Sequence, residues 1–447
     1  SVNESTPCTL DGFTVTRGNG NGWGSVTVNT KAKSRNYGGG MMNSQSSPTI
    51  TNTTFSHNSA GNGGGMDNEY SSPTITNSTF SNNTARGGGG MRNYGYSPTI
   101  INCTFTDNTA LSGGGMKNFY SSPAITNTTF SENTATNDGG GMYNQNYSPT
   151  ITNSIFWGNK KGSSSTATGS DIENNSSTPT ITYTTLQVSY TGTGNSTADP
   201  LFVDASNPAG ADGIHRTADD GLQLYSHSPA ANSGSNGALP SGITTDIIGS
   251  ARTQNTTVNM GAYEDLQYLI YVDFSAAGSN NGSSWTNAYT SLESAISSAA
   301  SGNKVWVAAG TYYPSAYPAG ATSGSSTPTN RDYSFNLAGG VHLYGGFAGT
   351  ETTLAARDYA TNVTILSGDI GTANSTSDNC YHVIVSVNES TAGTLDGFTV
   401  TRGNGNGSGT LTVNTKTIDR NYGGGMYSSS SSPTITNTTF SDNTATY

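Results

Sequence analysis

The sequence is poor in charge, in cysteine and in long apolar runs. Charged residues make up 10% of its 447 positions and hydrophobic ones 32%, and the cysteines are three: Cys8, Cys103 and Cys380. Lysine and arginine number 17 against 28 aspartate and glutamate, a formal net charge of −11. Nothing in so acidic a chain neutralises phosphates, which excludes nucleic acid and anionic membrane surfaces as partners. No segment approaches the ~18 consecutive apolar residues of a membrane span, so no membrane insertion is expected, and no leader segment is visible. An odd cysteine count without a C-x-x-C gives neither a disulfide framework nor a metal or redox motif. With the bias toward Asn, Thr, Ser and Gly, this points to an extracellular protein that does not depend on disulfides. Composition alone leans toward disorder.

Periodicity overrules that reading. The 58 glycines are not scattered: a glycine triplet followed by methionine recurs at Met41, Met66, Met91, Met116 and Met142, a period of 25 with one slip to 26. Each recurrence leads into a version of SSPTITNTTFSxNTA. A fixed period of this length is the mark of a solenoid. Proline, the triplet and the Thr-Ile-Thr run argue against helix and for short strands between turns. Three strands per coil are expected, at GGGM-x-N, PTITN and TFSxN. Coils stacked at ~4.8 Å make a parallel β-helix, an all-β fold.

Stacking turns sequence columns into ladders. Ile50, Ile75, Ile100, Ile125 and Ile151 form one, Phe55, Phe80, Phe105, Phe130 and Phe156 a second, and the methionines a third; these fill the bore. Asparagines form two more: Asn43, Asn68, Asn93, Asn118 and Asn144, and Asn58, Asn83, Asn108, Asn133 and Asn159. An asparagine both donates and accepts and tolerates left-handed backbone, so such columns satisfy turn groups along the axis. A narrow tube needs only about three apolar residues per coil, which explains the low hydrophobic fraction.

A longer repeat overlies the short one. Residues 1–62 align with 386–447 without a gap, at an offset of 385. Residues 1–264 are expected to be the C-terminal part of one β-helix module, with regular coils to about 160 and an irregular C-terminal cap over about 161–264. Residues 265–447 then form the N-terminal cap and first coils of the next module, with a short amphipathic helix over about 291–300. Thr290-Ser291-Leu292-Glu293 reads as its capping box, and Leu292, Ala295, Ile296 and Ala299 share one face. Only four residues join the modules, a stiff end-to-end connection, and the partner implied is the protein itself, head to tail, as covalent tandem modules or stacked subunits. Cys380 stands thirteen residues before Gly393, the long-repeat equivalent of Cys8, so Cys8 is a candidate for pairing with a cysteine of a preceding copy.

The GGGM and FSxN elements resemble the paired GGA(I/L/V) and FxxN repeats of chlamydial polymorphic outer-membrane proteins, which are adhesins; here methionine takes the place of a smaller aliphatic residue. The succession IYVD, GSSWTNAY, VWVAAGTY, LYGGFAGTET, ILSGDI, DPLFVD and MGAYE resembles large bacterial surface proteins with a right-handed, pectin-lyase-like β-helix. The resemblance covers nearly the whole chain and implies that fold, a cell-surface location and an adhesive or filament role.

A lyase or glycosidase on such a scaffold needs a clustered carboxylate set. In the regular coils Asp67, Glu69, Asp107, Glu132 and Asp138 share no single column, although Asp107 and Glu132 are equivalent in adjacent coils. Repetition also argues against a singular catalytic site, so no enzyme is expected. Asp204, Asp212, Asp219 and Asp220, with glycines between them, suit calcium, a hard cation that takes six to eight oxygens, or else belong to a polar loop. Tyr70, Tyr96, Tyr120 and Tyr147, before the Ser-Pro turns, form a stripe that either stacks on a surface glycan or covers the turn. The function expected is an extracellular structural and adhesive fibre; the alternative is a surface-displayed β-helix that binds or cleaves polysaccharide.

Overall fold

The computed structural model describes residues 1–4, 8–166, 169–210, 212–254 and 256–447. The chain divides into two compact units, Ser1–Leu266 and Gln267–Tyr447.

In the first unit the 25-residue repeat closes into a parallel β-helix with four strands per coil, one more than the sequence suggested. One coil shows the pattern: Met91–Tyr94, Thr99–Ile101, Thr104–Thr106 and Thr109–Ser112. The fourth strand was unrecognised because it carries alanine at its inward position (Ala60, Ala85, Ala110, Ala135) and follows an asparagine, which reads as turn. The other three registers match the sequence columns: Met66 pairs with Met91, Ile75 with Ile100 and Phe80 with Phe105. Strand pairing continues to Ile172–Asn175, Thr180–Thr182 and Thr185–Leu186.

The strands meet at left-handed corners. Tyr70, Asn77, Asn82 and Gly88 have φ of 50°, 49°, 55° and 69°, and each recurs coil by coil as a column. The three glycines of a triplet have three separate reasons. In the Gly88–Gly90 triplet the first supplies positive φ. A Cβ on the second would lie 2.4 Å from the Gly114 carbonyl oxygen; on the third it would lie 2.6 Å from that of Gly115 and 2.9 Å from the Phe105 ring.

The bore is closely filled and nearly the same from level to level. The methionine, isoleucine and phenylalanine columns from coil to coil are 0–1% exposed between Ile50 and Phe156, Met41 at the first level excepted. Phenylalanine rings stack nearly parallel at 4.9, 4.7, 4.6 and 4.4 Å between centroids, and each such pair adds roughly 0.5–1.5 kcal/mol beyond its buried area. Both asparagine columns are buried hydrogen-bonded chains. Asn83 Nδ2 donates to Asn108 Oδ1 (3.0 Å) and to the Phe55 carbonyl (2.9 Å), and Asn108 Oδ1 also accepts from Asn83 N–H (3.0 Å). The second column runs from Asn43 to Asn174 with amide-to-amide distances of 2.8–2.9 Å.

Length variation enters at one corner, between the alanine strand and the glycine triplet. The 26-residue coil takes its extra residue between Ala135 and Asp138. The next coil opens there around Gly162 and Gly169, and the first carries a hairpin, Ser25–Val28 with Lys31–Ser34.

Residues beyond Leu186 divide into two parts. Around Tyr190 the chain turns back against the last coil, with Tyr190 on the core and Leu186 N–H bonded to the Ser196 carbonyl. The remainder runs back along the flank of the tube as a strap. Ser235 N–H donates to Asn153 Oδ1 (2.7 Å), Ala262 N–H to Thr129 Oγ1 (3.1 Å), and Asn102 Nδ2 to the Thr245 carbonyl (2.7 Å). Beneath it the outward Thr79, Thr104 and Thr129 are 0–1% exposed.

The second unit starts a β-helix. Leu269–Val272, Lys304–Ala308, His342–Phe347, Thr394–Asp396 and Thr434–Thr436 form its largest sheet. The helix Leu292–Ser298 lays Leu292, Ala295 and Ile296 on the core beside Val272 and Val305. Ser291 caps it by accepting from Ser294 N–H, but the box is incomplete: Glu293 accepts from the Ser291 hydroxyl and from Ser315 instead. The repeated 62 residues fold alike in both units. Thr9–Asp11 corresponds to Thr394–Asp396, and Met41–Ser44 to Met426–Ser429. The hairpin turns Asn29-Thr30 (φ 45°, 64°) and Asn414-Thr415 (φ 44°, 68°) also match.

Candidate functional site

The tyrosine stripe of the regular coils faces solvent with large apolar surface. Its positions follow from the corner before each Ser-Pro. Tyr70 and Tyr120 occupy the left-handed residue itself (φ 50° and 51°), whereas in the intervening coil that place is Gly95 (φ 89°) and Tyr96 follows it. The Tyr70 ring lies over Gly95, where an added Cβ would be 2.6 Å from the ring. The four rings therefore zigzag along the axis. Tyr70 meets Tyr96 edge to face at 6.0 Å, Tyr120 meets Tyr147 at 5.9 Å, and Tyr94 stacked on Phe119 at 5.5 Å joins the two pairs. Tyr70, Tyr96, Tyr120 and Tyr147 are 42%, 57%, 45% and 53% exposed. A hydrogen bond with Tyr94 raises the Tyr70 phenol above its ordinary range.

The four strap aspartates are held by nearby backbone and hydroxyl donors. Asp204 accepts from Ser206 N–H (3.1 Å), Asp212 from Ile214 N–H (2.7 Å), and Asp219 from Asp212 N–H (3.0 Å) and the Thr217 hydroxyl (2.7 Å). Asp220 accepts from the Tyr263 hydroxyl (2.6 Å) and Arg216 N–H (2.7 Å), and burial pushes its carboxyl up to about 6. Among the described residues no group of three or more acidic, histidine or cysteine side chains gathers as metal ligands would. These oxygens face backbone N–H and hydroxyl donors.

The coil carboxylates are likewise engaged singly. Asp67 is buried against Arg92 (2.7 Å), whose guanidinium also lies 4.6 Å over the Tyr37 ring. Glu69 pairs with Lys33 and Glu132 with Lys160, both at 2.7 Å. The shared column of Asp107 and Glu132 is a left-handed corner (φ 56° and 55°), filled by His57, Asn82 and Gly158 elsewhere. Asn52, Asn77, Asn102, Asn127 and Asn437 are also left-handed corners, with φ of 47–51°.

Two features went unread in the sequence. Arg252, 1% exposed, donates to the carbonyls of Ala262 (3.1 Å) and Gly261 (2.5 Å) and faces Glu264, thereby holding the MGAYE segment on the flank. Asp171 ends an asparagine column: it accepts from Asn159 Nδ2 (3.3 Å) and Val188 N–H (2.8 Å), and burial pushes it up to about 7. All three cysteines are free. Cys103 and Cys380 are buried with thiols pushed up to about 12. The Cys380 thiol packs on Gly368.

Residues 12–178 match the family model described as a right handed beta helix region, which gives the hand of the solenoid. No curated protein and no solved structure matches the chain.

Proposed function

We propose that the protein is an extracellular structural and adhesive fibre built from β-helix modules set end to end at the 385-residue period of its sequence. One observation carries the reading: the repeated 62 residues take the same strands and the same hairpin in both units. A tube in which backbone ladders, ring stacks and amide chains all run along one axis resists bending and proteolysis. Its role is mechanical, and it extends the aromatic ridge away from a cell. The pairing of Asp67, Glu69 and Glu132 with arginine or lysine favours a non-catalytic role over polysaccharide cleavage.

Denaturing, reducing electrophoresis of native material tests the period, and electron microscopy tests the form. A chain of several hundred kilodaltons, or 46 kDa chains assembled as filaments, with segments on the order of 70 Å, is the expected result. Dispersed single particles of a 46 kDa chain would overturn it.

Adhesion by glycan stacking is favoured by the ridge itself, because exposed phenol rings in edge contact offer flat apolar faces to sugar C–H groups. Tyr96→Ala with Tyr147→Ala is expected to abolish retention on an immobilised glycan array; unchanged retention removes the ridge from the function.

A further inference from the structure

The second unit holds a recess that neither the fibre reading nor the tyrosine ridge uses. Its loops enclose about 840 Å³, lined among others by Tyr313, Tyr333, Tyr381, Arg331, Asp369 and Asp378. That volume lies in the range of small-molecule sites.

The walls are fixed by contacts with one another and with residues behind them. Thr329 N–H donates to Asp332 Oδ2 (2.7 Å), and Arg420 clamps both oxygens of that buried carboxylate at 2.8 Å, which locks the turn carrying Arg331 and Tyr333. The Arg331 guanidinium lies 4.2 Å over the Tyr381 ring. Its Nε donates to the Asn379 carbonyl (2.6 Å) and its Nη2 to the Asn404 carbonyl (3.1 Å) and Asn406 Oδ1 (2.7 Å). Asp369 is held by Arg402 (2.8 Å) and Asn374 N–H, and Asp378 by Thr372 N–H (2.7 Å). Rigid aromatic walls and fixed polar groups are what a ligand site requires, since little ordering remains to be done on binding.

The chemistry of the walls selects the ligand. Tyr313 and Tyr333 offer ring faces to C–H groups, while the Tyr381 ring backs the Arg331 guanidinium. The carboxylates accept paired hydroxyl donors, and the guanidinium donates to a hydroxyl or ring oxygen. Asp369 is answered by Arg402, which leaves Arg331 and Asp378, one charge of each sign. The recess therefore has no net charge with which to favour an anion or a cation. We propose that it binds a neutral sugar of one to three pyranose rings, or the end of a neutral glycan.

Saturation-transfer NMR of the full chain with lactose, maltotriose, chitobiose and mannobiose, each alone, tests the proposal. At least one sugar is expected to receive saturation from the wild type and still from the ridge variant Tyr70→Ala/Tyr96→Ala, the background in which the recess substitutions are then made. Its affinity is expected to fall at least tenfold in Tyr313→Ala and in Asp378→Asn. Tyr313 is 51% exposed, so its truncation leaves the core intact, and an unchanged melting temperature verifies this. Transfer to none of the four sugars overturns the proposal. So does transfer that survives both recess substitutions. If it is lost only in the ridge variant, sugar binding belongs to the ridge and that reading stands without this one.

Discussion

Asn108→Ala removes one rung of a buried amide chain, and the structure fixes what is lost. Asn108 Oδ1 accepts from Asn83 N–H and Asn83 Nδ2, both at 3.0 Å. Its Nδ2 donates to Asn133 Oδ1 and the Phe80 carbonyl, both at 2.9 Å. Two of the four partners keep a second bond: Asn83 Nδ2 to the Phe55 carbonyl, and Asn133 Oδ1 from Asn108 N–H. Asn83 N–H keeps none, in surroundings 0% exposed. An orphaned buried donor costs about 1–3 kcal/mol and each of the three further lost bonds about 0.5–1.5, so the expected destabilisation is about 2.5–7.5 kcal/mol. Urea unfolding followed by far-ultraviolet circular dichroism measures it as a lowered midpoint at unchanged slope. A loss below about 1 kcal/mol would refute the reasoning, because a water or a shift of the coil would then be replacing the amide at little cost. A shallower slope would instead mean that the coils on either side now melt separately, as expected when a nearest-neighbour interface in a linear array is broken.

Three further outcomes follow from particular contacts. Gly90→Ala sets a Cβ 2.6 Å from a carbonyl oxygen and is expected to cost more than about 3 kcal/mol, whereas Gly162→Ala, with positive φ and open space, should cost about 1; equal melting temperatures would contradict this. Asp171 is raised to about 7 by burial, so the native state holds a proton that the unfolded chain releases near pH ~4. Its contribution to stability is therefore full below about pH 4 and is lost as pH rises toward 7. Asp171→Asn should flatten the change in melting temperature between those limits, and an unaltered profile would assign the dependence elsewhere. Millimolar calcium or a chelator should leave the melting temperature unchanged, since the strap aspartates already accept from backbone N–H groups; a shift of several degrees would show that they rearrange around an ion.

What was legible in the sequence is what repeats. Ile, Phe, Met and Asn recur at a fixed spacing because each level of the bore poses the same packing problem, so their columns and registers could be read directly. The alanine strand escaped because its inward residue is small and its neighbours favour turns. The shared Asp107 and Glu132 column was visible but its meaning was not: a left-handed corner accepts histidine, asparagine, aspartate, glutamate or glycine, and the acids there reflect backbone geometry. The strap was opaque because it has no period. Its hold on the flank depends on single contacts, such as Arg252 to the Gly261 and Ala262 carbonyls, that leave no recurring signature. The tyrosines were found, but their zigzag depends on where glycine takes the corner, at Gly95.

That every departure from 25 residues in the regular coils of the first unit enters at the corner ahead of the glycine triplet has a practical meaning. The tube behaves as a rack with one slot per level, and whatever is inserted there projects from the same edge while the three other corners keep their register. A hairpin, a single extra residue and a longer excursion already share that edge. Foreign peptides grafted at Ser112 or Gly87 would stand in line at the coil spacing of ~4.8 Å, an arrangement suited to multivalent display.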